Sequence, residues 1–444
     1  MLIAAACGNG KDATFDLPPG ASFDSVRGDR VLIVVEAKND CQSQGNCASD
    51  ATAAADPAAC DLGQGNTRGL AVYRLGANGM LFHDPSSDGP PGGPEQTIAT
   101  ATNPRRVTVH PNDSSLIYVA TIERVQVFRL AANGATRCIG QTLSEKEANS
   151  PFDEKLDPID MAIDPSIGDG VLYVAASGAN RIDAYAMAPD GTIPGVPTSC
   201  VVGSLFAEFA AVTLASDDFV IAGGRSSIAV YRRQAGQFPP PNPDPLATPT
   251  PSPSPALPAC TGARLITEPV SSIGAAFVTD MLFWPSAQAP LGELVVSEEF
   301  SRQIVTFPID AAGLLDAEGT SSTARAGVYQ NLLRNELDSQ PVLYASVFNE
   351  GRIDAFRLEN GRLPPGAFSS TAADPRTLPV GMAIDVSGSV LYVAQGGLGR
   401  VDGFRILPGG GLDALPTTGT RPILTANGSR LDTFPNDVAI VALP

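Results

Sequence analysis

Few residues in this chain can do chemistry, and four of those that can share one address. The segments PRRVTVHPN (from Pro104), PIDMAIDPS (from Pro158), TDMLFWPS (from Thr279), PVGMAIDVS (from Pro379) and FPNDVAIVA (from Phe434) align with one another. In that alignment Arg106, Asp160, Asp280, Gly381 and Asp437 fall at one equivalent position, just ahead of an apolar pair. Three carboxylates and a guanidinium aimed at a common point offer two chemistries. Asp160, Asp280 and Asp437 could supply hard oxygen ligands to a cation such as Ca²⁺, or they could orient a polar ligand beside Arg106. The plainer alternative is that each aspartate caps its own turn through a local backbone hydrogen bond.

The elements around this position are short strands. Apolar residues alternate through each segment and a turn follows, the pattern of a half-buried strand. After it comes a second pattern, clearest in LYVAASGANRIDAYAMAPDGTI (Leu172 to Ile193): an apolar run, a small polar turn, another run, then Asp190-Gly191. Asp-Gly between apolar runs predicts a hairpin with a type I′ turn. Related stretches begin at Val31 (resuming at Arg68), Leu116, Phe219, Glu293, Val342 and Val390, and each carries one marker aromatic, from Tyr73 and Phe128 to Phe404. A repeat of about 50 residues with several short strands per copy predicts a β-propeller.

The copies set the architecture as all-β: a seven-bladed β-propeller of four-stranded antiparallel blades. The inner strands of blades 4 and 6 are blurred, near Phe209 to Ala215 and Val328 to Leu333. The segment from Phe434 has no blade after it, and the repeat at Val31 has no inner strand before it. The C-terminal strand should therefore join blade 1 and close the ring, which removes the open sheet edges. Residues 26–444 then form one domain, interrupted by insertions at 40–67 (blade 1) and 239–258 (Pro-rich, blade 4). The first insertion is either a lid over the channel or a cysteine-tied decoration. The proline density of the second excludes ladder pairing.

In a propeller, the loops entering the inner strands and those between strands two and three share one face around the channel. Asn180, Arg225, Glu298, Glu299, Asn349 and Glu350 join Arg106 and the aspartates there. Asn180 and Asn349 are candidate ligand contacts, and Arg106, Glu298, Glu299 and Glu350 are the weak candidates for catalysis. Arg124, Arg181, Arg352 and Arg400 recur on strand three, followed two residues later by Asp183, Asp354 or Asp402 in three copies. A residue that every blade repeats serves the blade. His110, Asp164 and Asp385 fall in turns on the opposite face.

Composition narrows the classes. The net charge is −18 with no basic cluster, which argues against nucleic acid and anionic membrane as partners, since phosphate contacts need Lys and Arg concentrated on one face. No apolar run approaches the roughly 20 residues of a membrane span. Two histidines, His83 and His110, are too few for a His-rich zinc site and argue against most Ser-His-Asp arrangements. The chain has no GxSxG elbow, no phosphate-cradling GxxxxGK and no CxxCH. Trp284 is the sole tryptophan, unlike the tryptophan-marked blades of WD repeats.

Seven cysteines, with Cys41, Cys47 and Cys60 in the first insertion and Cys138, Cys200 and Cys260 late in three successive repeats, lack the CxxC pairs of a zinc site. Disulfides in an oxidising compartment fit them, with free buried thiols as the alternative. Residues 1–25 open with MLIAAACGNG, which reads either as the remnant of a lipoprotein signal with Cys7 as the lipidated residue, or as an arbitrary apolar start.

The LYVA strand, the [RS]-[IV]-x-x-[YF] strand and the Asp/Asn-Gly turn together resemble two propeller groups: phosphogluconolactonase-type lactonases and the YVTN-type repeats of prokaryotic surface and periplasmic proteins. The resemblance spans about Val31 to Pro444 outside the insertions. It implies a seven-bladed fold and, for the lactonases, a channel site built from His, Glu and Arg. Arg106 and Glu298, Glu299 or Glu350 match two of those roles; neither histidine falls on the channel face. The expectation is an extracytoplasmic binding or scaffold propeller whose channel face takes a small polar molecule or a protein. The alternatives are a lactone hydrolase and a surface-layer component.

Overall fold

A computed structural model describes residues 27–36, 68–76, 96–100, 103–142, 157–202, 209–233, 266–415 and 435–443, with short breaks inside these spans at 133, 216–218, 287–288, 317–319, 322, 324–326, 337–340, 360–361 and 386. The described strands form seven four-stranded antiparallel sheets. Blade 1 holds β1 (Arg27–Glu36), β2 (Arg68–Gly76) and β3 (Gln96–Ala99). Blade 2 holds β4 (Pro104–His110), β5 (Asp113–Thr121), β6 (Val125–Leu130) and β7 (Thr136–Gln141). Blade 3 holds β8 (Pro158–Asp164), β9 (Val171–Ala176), β10 (Arg181–Ala186) and β11 (Ser199–Val202).

Blade 4 holds β12 (Ala211–Ala215), β13 (Phe219–Gly223), β14 (Ser227–Arg233) and β15 (Ile266–Gly274). Blade 5 holds β16 (Val278–Trp284), β17 (Gly292–Glu298), β18 (Gln303–Ile309) and β19 (Thr320–Ser321). Blade 6 holds β20 (Tyr329–Asn335), β21 (Val342–Val347), β22 (Arg352–Arg357) and β23 (Ser369–Ser370). Blade 7 holds β24 (Pro379–Ile384), β25 (Val390–Gln395), β26 (Arg400–Ile406) and β27 (Leu412–Ala414). The last strand, β28 (Pro435–Ala442), pairs antiparallel with β1, Val34 opposite Val438, and supplies the inner strand that blade 1 lacks. The ring therefore closes as the alignment predicts, and the blurred inner strands of blades 4 and 6 form as β12 and β20.

Each strand two is apolar without alternation because both of its faces are buried. Along β9, Leu172 and Val174 pack toward blade 2, while Val171, Tyr173 and Ala175 pack toward blade 4. A strand buried on both sides reads as a continuous apolar run, as internal strands do. Apolar burial between neighbouring sheets, at about 25 cal/mol per Å², is the main favourable term.

The turn at Asp190-Gly191 differs from the type I′ prediction. Only Gly191 has positive φ (78°), whereas type I′ needs it at both central residues. The Gly191 N–H donates to Ala188 O and the Ala188 N–H to Thr192 O, so this is a type I turn closed by a glycine bulge. The same pair of bonds recurs at Gly134, Gly313 and Gly410. Tertiary packing dictates the glycine: a Cβ on Gly191 would lie 2.2 Å from Leu116 Cδ1 of blade 2. Tyr118 Oη on that blade donates to Gly191 O at 2.8 Å, and Tyr344 Oη does the same to Gly410 O at 2.9 Å. The turns at Gly191 and Gly410 are thus joints between blades.

Cys138 lies on β7, buried in the core shared with blade 1, and Cys200 lies on β11. Cys7, Cys41, Cys47, Cys60, Cys260 and both insertions fall outside the described residues, so the lid and lipidation expectations do too. Among the described residues no helix is long and apolar enough to cross a membrane. Gly191→Ala should cost about 1–3 kcal/mol, because the new Cβ both overpacks Leu116 and strains a positive φ. Thermal unfolding of this variant beside an exposed control such as Asp169→Ala measures it, with only Gly191→Ala expected to lower Tm by several degrees.

Candidate functional site

The channel site is built by a bulge repeated in the inner strands. In β4, Pro104 pairs with Thr121 but Arg106 pairs with the adjacent Ala120, leaving Arg105 as an extra residue. The same slip makes Ile159 the extra residue in β8, Thr279 in β16, Gln330 in β20 and Asn436 in β28. A bulge bends its strand and re-aims side chains. Here the extra residues turn to the channel: Arg105, Ile159, Thr279, Gln330 and Asn436 all line one cavity of about 290 Å³. Asn103, Arg106, Asp160, Ala210, Asn331, Val380 and Gly381 complete its wall, so all seven blades contribute.

Beside the bulge sits the position shared by Arg106 and the three aspartates. These four do come together, around the guanidinium. Arg106 Nε lies 3.0 Å from Asp160 Oδ1 and 3.7 Å from Asp437 Oδ2, and Nη2 lies 3.4 Å from Asp280 Oδ1. Arg106 keeps a quarter of its side chain exposed, and the carboxylates are buried behind it. The expected cation position is therefore filled by a side chain of the protein itself. Among the described residues no group of three or more His, Cys, Asp or Glu is arranged to hold a metal ion.

Nor do these aspartates simply cap their own turns. Each reaches the inner strand of the next blade: Asp437 Oδ2 accepts from Val107 N (3.0 Å), Asp160 Oδ2 from Val212 N (2.9 Å) and Asp280 Oδ2 from Leu332 N (2.7 Å). Asp280 also accepts from its neighbour Met281 N at 2.9 Å and from Asn331 Nδ2 at 2.8 Å. Carboxylates on blades 1, 3 and 5 thus tie blades 2, 4 and 6. On blade 7 the equivalent residue is Gly381, where a Cβ would lie 2.1 Å from Asp437 Oδ1. Glycine there lets the last inner strand close against β28.

The electrostatics follow from three buried carboxylates sharing one cation. Burial alone would lower the Arg106 pKa, but Asp160, Asp280 and Asp437 outweigh it and raise it, so Arg106 stays charged. Burial pushes Asp280 up to about 7, with Asp160 adding to the rise and Arg106 opposing it. Burial likewise lifts Asp437 to about 6 against the pull of Arg106 and of the Val107 amide.

The other expected residues stand apart from the cavity. Glu298 accepts from Ala276 N and Ser301 Oγ, Glu350 pairs with Arg352, and Asn349 Oδ1 accepts from Val328 N. Asn180 occupies its hairpin turn with φ 48°, and Glu299 donates its backbone N–H to Phe277 O in another. None of these five lines the cavity. On the opposite face, His110 Nδ1 accepts from Asn112 N and Asp113 N, which makes it a turn residue, and burial lowers its pKa. The recurring Arg–Asp pairs lie within single strands, Arg181 Nε to Asp183 Oδ1 at 2.7 Å for example, rather than between blades. The alignment overlooked Arg105, Thr279, Gln330, Asn331 and Asn436. Four of these sit beside an aligned residue or in its place, and the slip that turns the bulged ones inward is visible only once strands are paired.

No family model matches the chain, and no curated protein matches its sequence. Solved structures do resemble it. One is a protein provisionally assigned as a 6-phosphogluconolactonase from Bacteroides fragilis, with TM-score 0.60 and 13% identity over 93% of this chain and 98% of that one. Another, provisionally assigned likewise, is from Bacteroides uniformis, with TM-score 0.57 and 15% identity over 93% and 100%. The periplasmic gluconolactonase of Pseudomonas aeruginosa gives TM-score 0.56 and 16% identity over 94% and 100%. At such identities the likeness is one of fold, and it agrees with the lactonase-type propeller that the repeats resemble.

Two outcomes follow. Arg106→Met leaves three buried carboxylates without their cation and should cost about 2–4 kcal/mol, read by thermal or urea unfolding; adding Asp160→Asn should recover part of it. Asp280 and Asp437 titrate in the fold above the unfolded carboxylate value of about 4. The folded state therefore holds more protons between about pH 4 and 7. Their contribution is fully present below that window and is lost as pH rises through about 6 and 7. Tm measured from pH 4.5 to 8 should fall less steeply in Asp437→Asn than in the native chain.

Proposed function

We propose that the protein is an extracytoplasmic propeller that binds a small polar ligand in the mouth of its channel. The observation that carries this reading is the cavity of about 290 Å³ to which every blade contributes from its inner strand or, in blade 4, from Ala210 just before it. Its wall holds four side-chain amides, Asn103, Gln330, Asn331 and Asn436, suited to orienting hydroxyl and carbonyl groups. Two guanidiniums line the mouth, Arg105 paired with Asp157 at 3.0 Å and Arg106 with Asp160, Asp280 and Asp437, so four carboxylates surround two cations and the balance of charge favours a neutral or cationic ligand over an anion. A protein loop that offers such groups would fit the same mouth.

The buried groups are poorly set for catalysis. Asp280 titrates near neutrality, but Met281 N and Arg106 engage its Oδ1 while Leu332 N and Asn331 Nδ2 engage its Oδ2. A base needs a lone pair within reach of the substrate proton, and here both oxygens are occupied by the scaffold. Arg106 is likewise committed to its carboxylates. The lactone-hydrolase reading rests instead on the solved structures that share the fold. We also read the cysteines as disulfide-forming and Cys7 as a lipid anchor, which suits a periplasmic or surface location.

Binding and catalysis separate in one experiment. The full chain is titrated, by calorimetry and ligand-detected NMR, with neutral polyols, sugar lactones and small cationic amines, and lactone hydrolysis is followed in parallel. A neutral or cationic compound should bind without turnover, and Ile159→Trp, which plugs the mouth, should abolish binding. Lactone turnover that Ile159→Trp abolishes would replace the binding reading with the hydrolase. A panel that neither binds nor reacts would remove the small-ligand reading altogether. Thiol titration of the unfolded chain with and without reductant tests the disulfides.

A further inference from the structure

The four side-chain amides of the channel mouth are not equally free. Asn331 donates from Nδ2 to Asp280 Oδ2 at 2.8 Å, and its Oδ1 is sealed from solvent. Asn436 donates from Nδ2 to Pro104 O at 2.8 Å. Asn103 turns the chain into β4 with φ 52°, and its Oδ1 is sealed as well. Thr279, the extra residue of blade 5, commits its hydroxyl to Tyr329 O at 2.6 Å and to Ser297 Oγ at 2.7 Å, and Arg105 is paired with Asp157. Gln330 is the exception. It is half-buried in the wall, and among the described residues neither its Oε1 nor its Nε2 has a hydrogen-bond partner or is sealed from solvent.

The backbone that carries this free amide is held on both sides. Tyr329 O accepts from Thr279 of blade 5, and Asn331 N donates to Ser346 Oγ at 3.0 Å while its side chain holds Asp280. Gln330 lies between them as the extra residue of the β20 bulge. A fixed backbone limits the entropy lost when the side chain is engaged. Three blades away around the ring stands Ile159, the apolar extra residue of blade 3. A glutamine amide presents an acceptor and a donor side by side in one plane. The rigid partner that satisfies both at once is another amide edge with C=O and N–H on the same side. Lactams and primary carboxamides have that edge, whereas a trans secondary amide points the two groups apart. A vicinal diol offers a similar pairing but must freeze two hydroxyl rotors to make it.

We propose that Gln330 determines the specificity of the channel mouth and selects an uncharged cyclic or primary amide, whose C=O accepts from Nε2, whose N–H donates to Oε1 and whose carbon edge lies toward Ile159. The inference rests on the reading of the mouth as a ligand site and names the chemistry that the site takes.

Four probes of equal heavy-atom count separate the alternatives: δ-valerolactam, δ-valerolactone, N-ethylpropanamide and cis-1,2-cyclopentanediol. The lactone lacks the N–H, the acyclic amide is trans, and the diol replaces the amide edge with hydroxyls. Titrated into the full chain and followed by ligand-detected NMR, the lactam should bind saturably and each of the others about tenfold more weakly, the loss of about one hydrogen bond. Gln330→Met should bring the lactam and lactone affinities together, with Gln330→Leu as a second variant if the first misfolds, and Ile159→Trp should abolish lactam binding. A lactone, trans amide or diol that binds as tightly as the lactam and is lost in Ile159→Trp would overturn this inference and leave the mouth a ligand site. A preference for the lactam that survives the loss of Gln330 would do the same. If none of the four probes binds, the inference is overturned, while the channel reading is decided by its own panel of polyols, sugar lactones and amines.

Discussion

The antiparallel pairing of β28 with β1, running from Arg30 opposite Ala442 to Val35 opposite Asp437, ties the end of the chain into the sheet that begins it. Without it blade 1 would lack its inner strand, and two sheet edges would face solvent. Closure also makes the centre. Asp437 lies on the closing strand, and its carboxylate both reaches Val107 N of blade 2 and approaches Arg106. Asn436, the extra residue of the same strand, donates from Nδ2 to Pro104 O at 2.8 Å. The strand that completes the ring thus also completes the cavity wall.

Around that centre the blades alternate in what they contribute. Carboxylates on blades 1, 3 and 5 accept backbone N–H groups from blades 2, 4 and 6, and the seventh position holds a glycine that makes room for Asp437. An odd ring cannot alternate perfectly, and Gly381 is where the alternation ends. Buried carboxylates need compensation, and here it comes from neighbouring-blade amides together with one arginine. The opposite face is locked by a different set of pairs: Arg30 Nη1 to Asp385 Oδ2 at 2.7 Å joins blades 1 and 7, and Arg233 with Asp164 joins blades 4 and 3.

The repeats separate scaffold from site. Glycine turns of blades 3 and 7, each held by a tyrosine of the preceding blade, and the sealed Arg–Asp pairs of blades 3 and 6 belong to the scaffold. A departure from this grammar marks the cavity. At the channel it is the identity of the extra residue at the bulge, Arg105, Ile159, Thr279, Gln330 or Asn436.

Much of this was legible in the chain itself. Strand number, blade count and closure follow from periodicity and from the orphan segment at Phe434, because each blade repeats its local pattern of apolar runs and turns. The equivalence of Arg106, Asp160, Asp280 and Asp437 is legible too, since it needs only alignment of those repeats. What they do there was not. Asp280 meets Arg106 across 174 residues, and Asp437 meets the Val107 amide across 330, so a cation site, a turn cap and a tie between blades are written identically in sequence. The turn at Gly191 was misjudged for a related reason, since its conformation answers to Leu116 and Tyr118 of another blade. Local pattern determined the strands and their number. Only the closed ring, by bringing distant carboxylates, amides and one guanidinium within bonding distance, decided which charges neutralise one another and which side chains face the ligand.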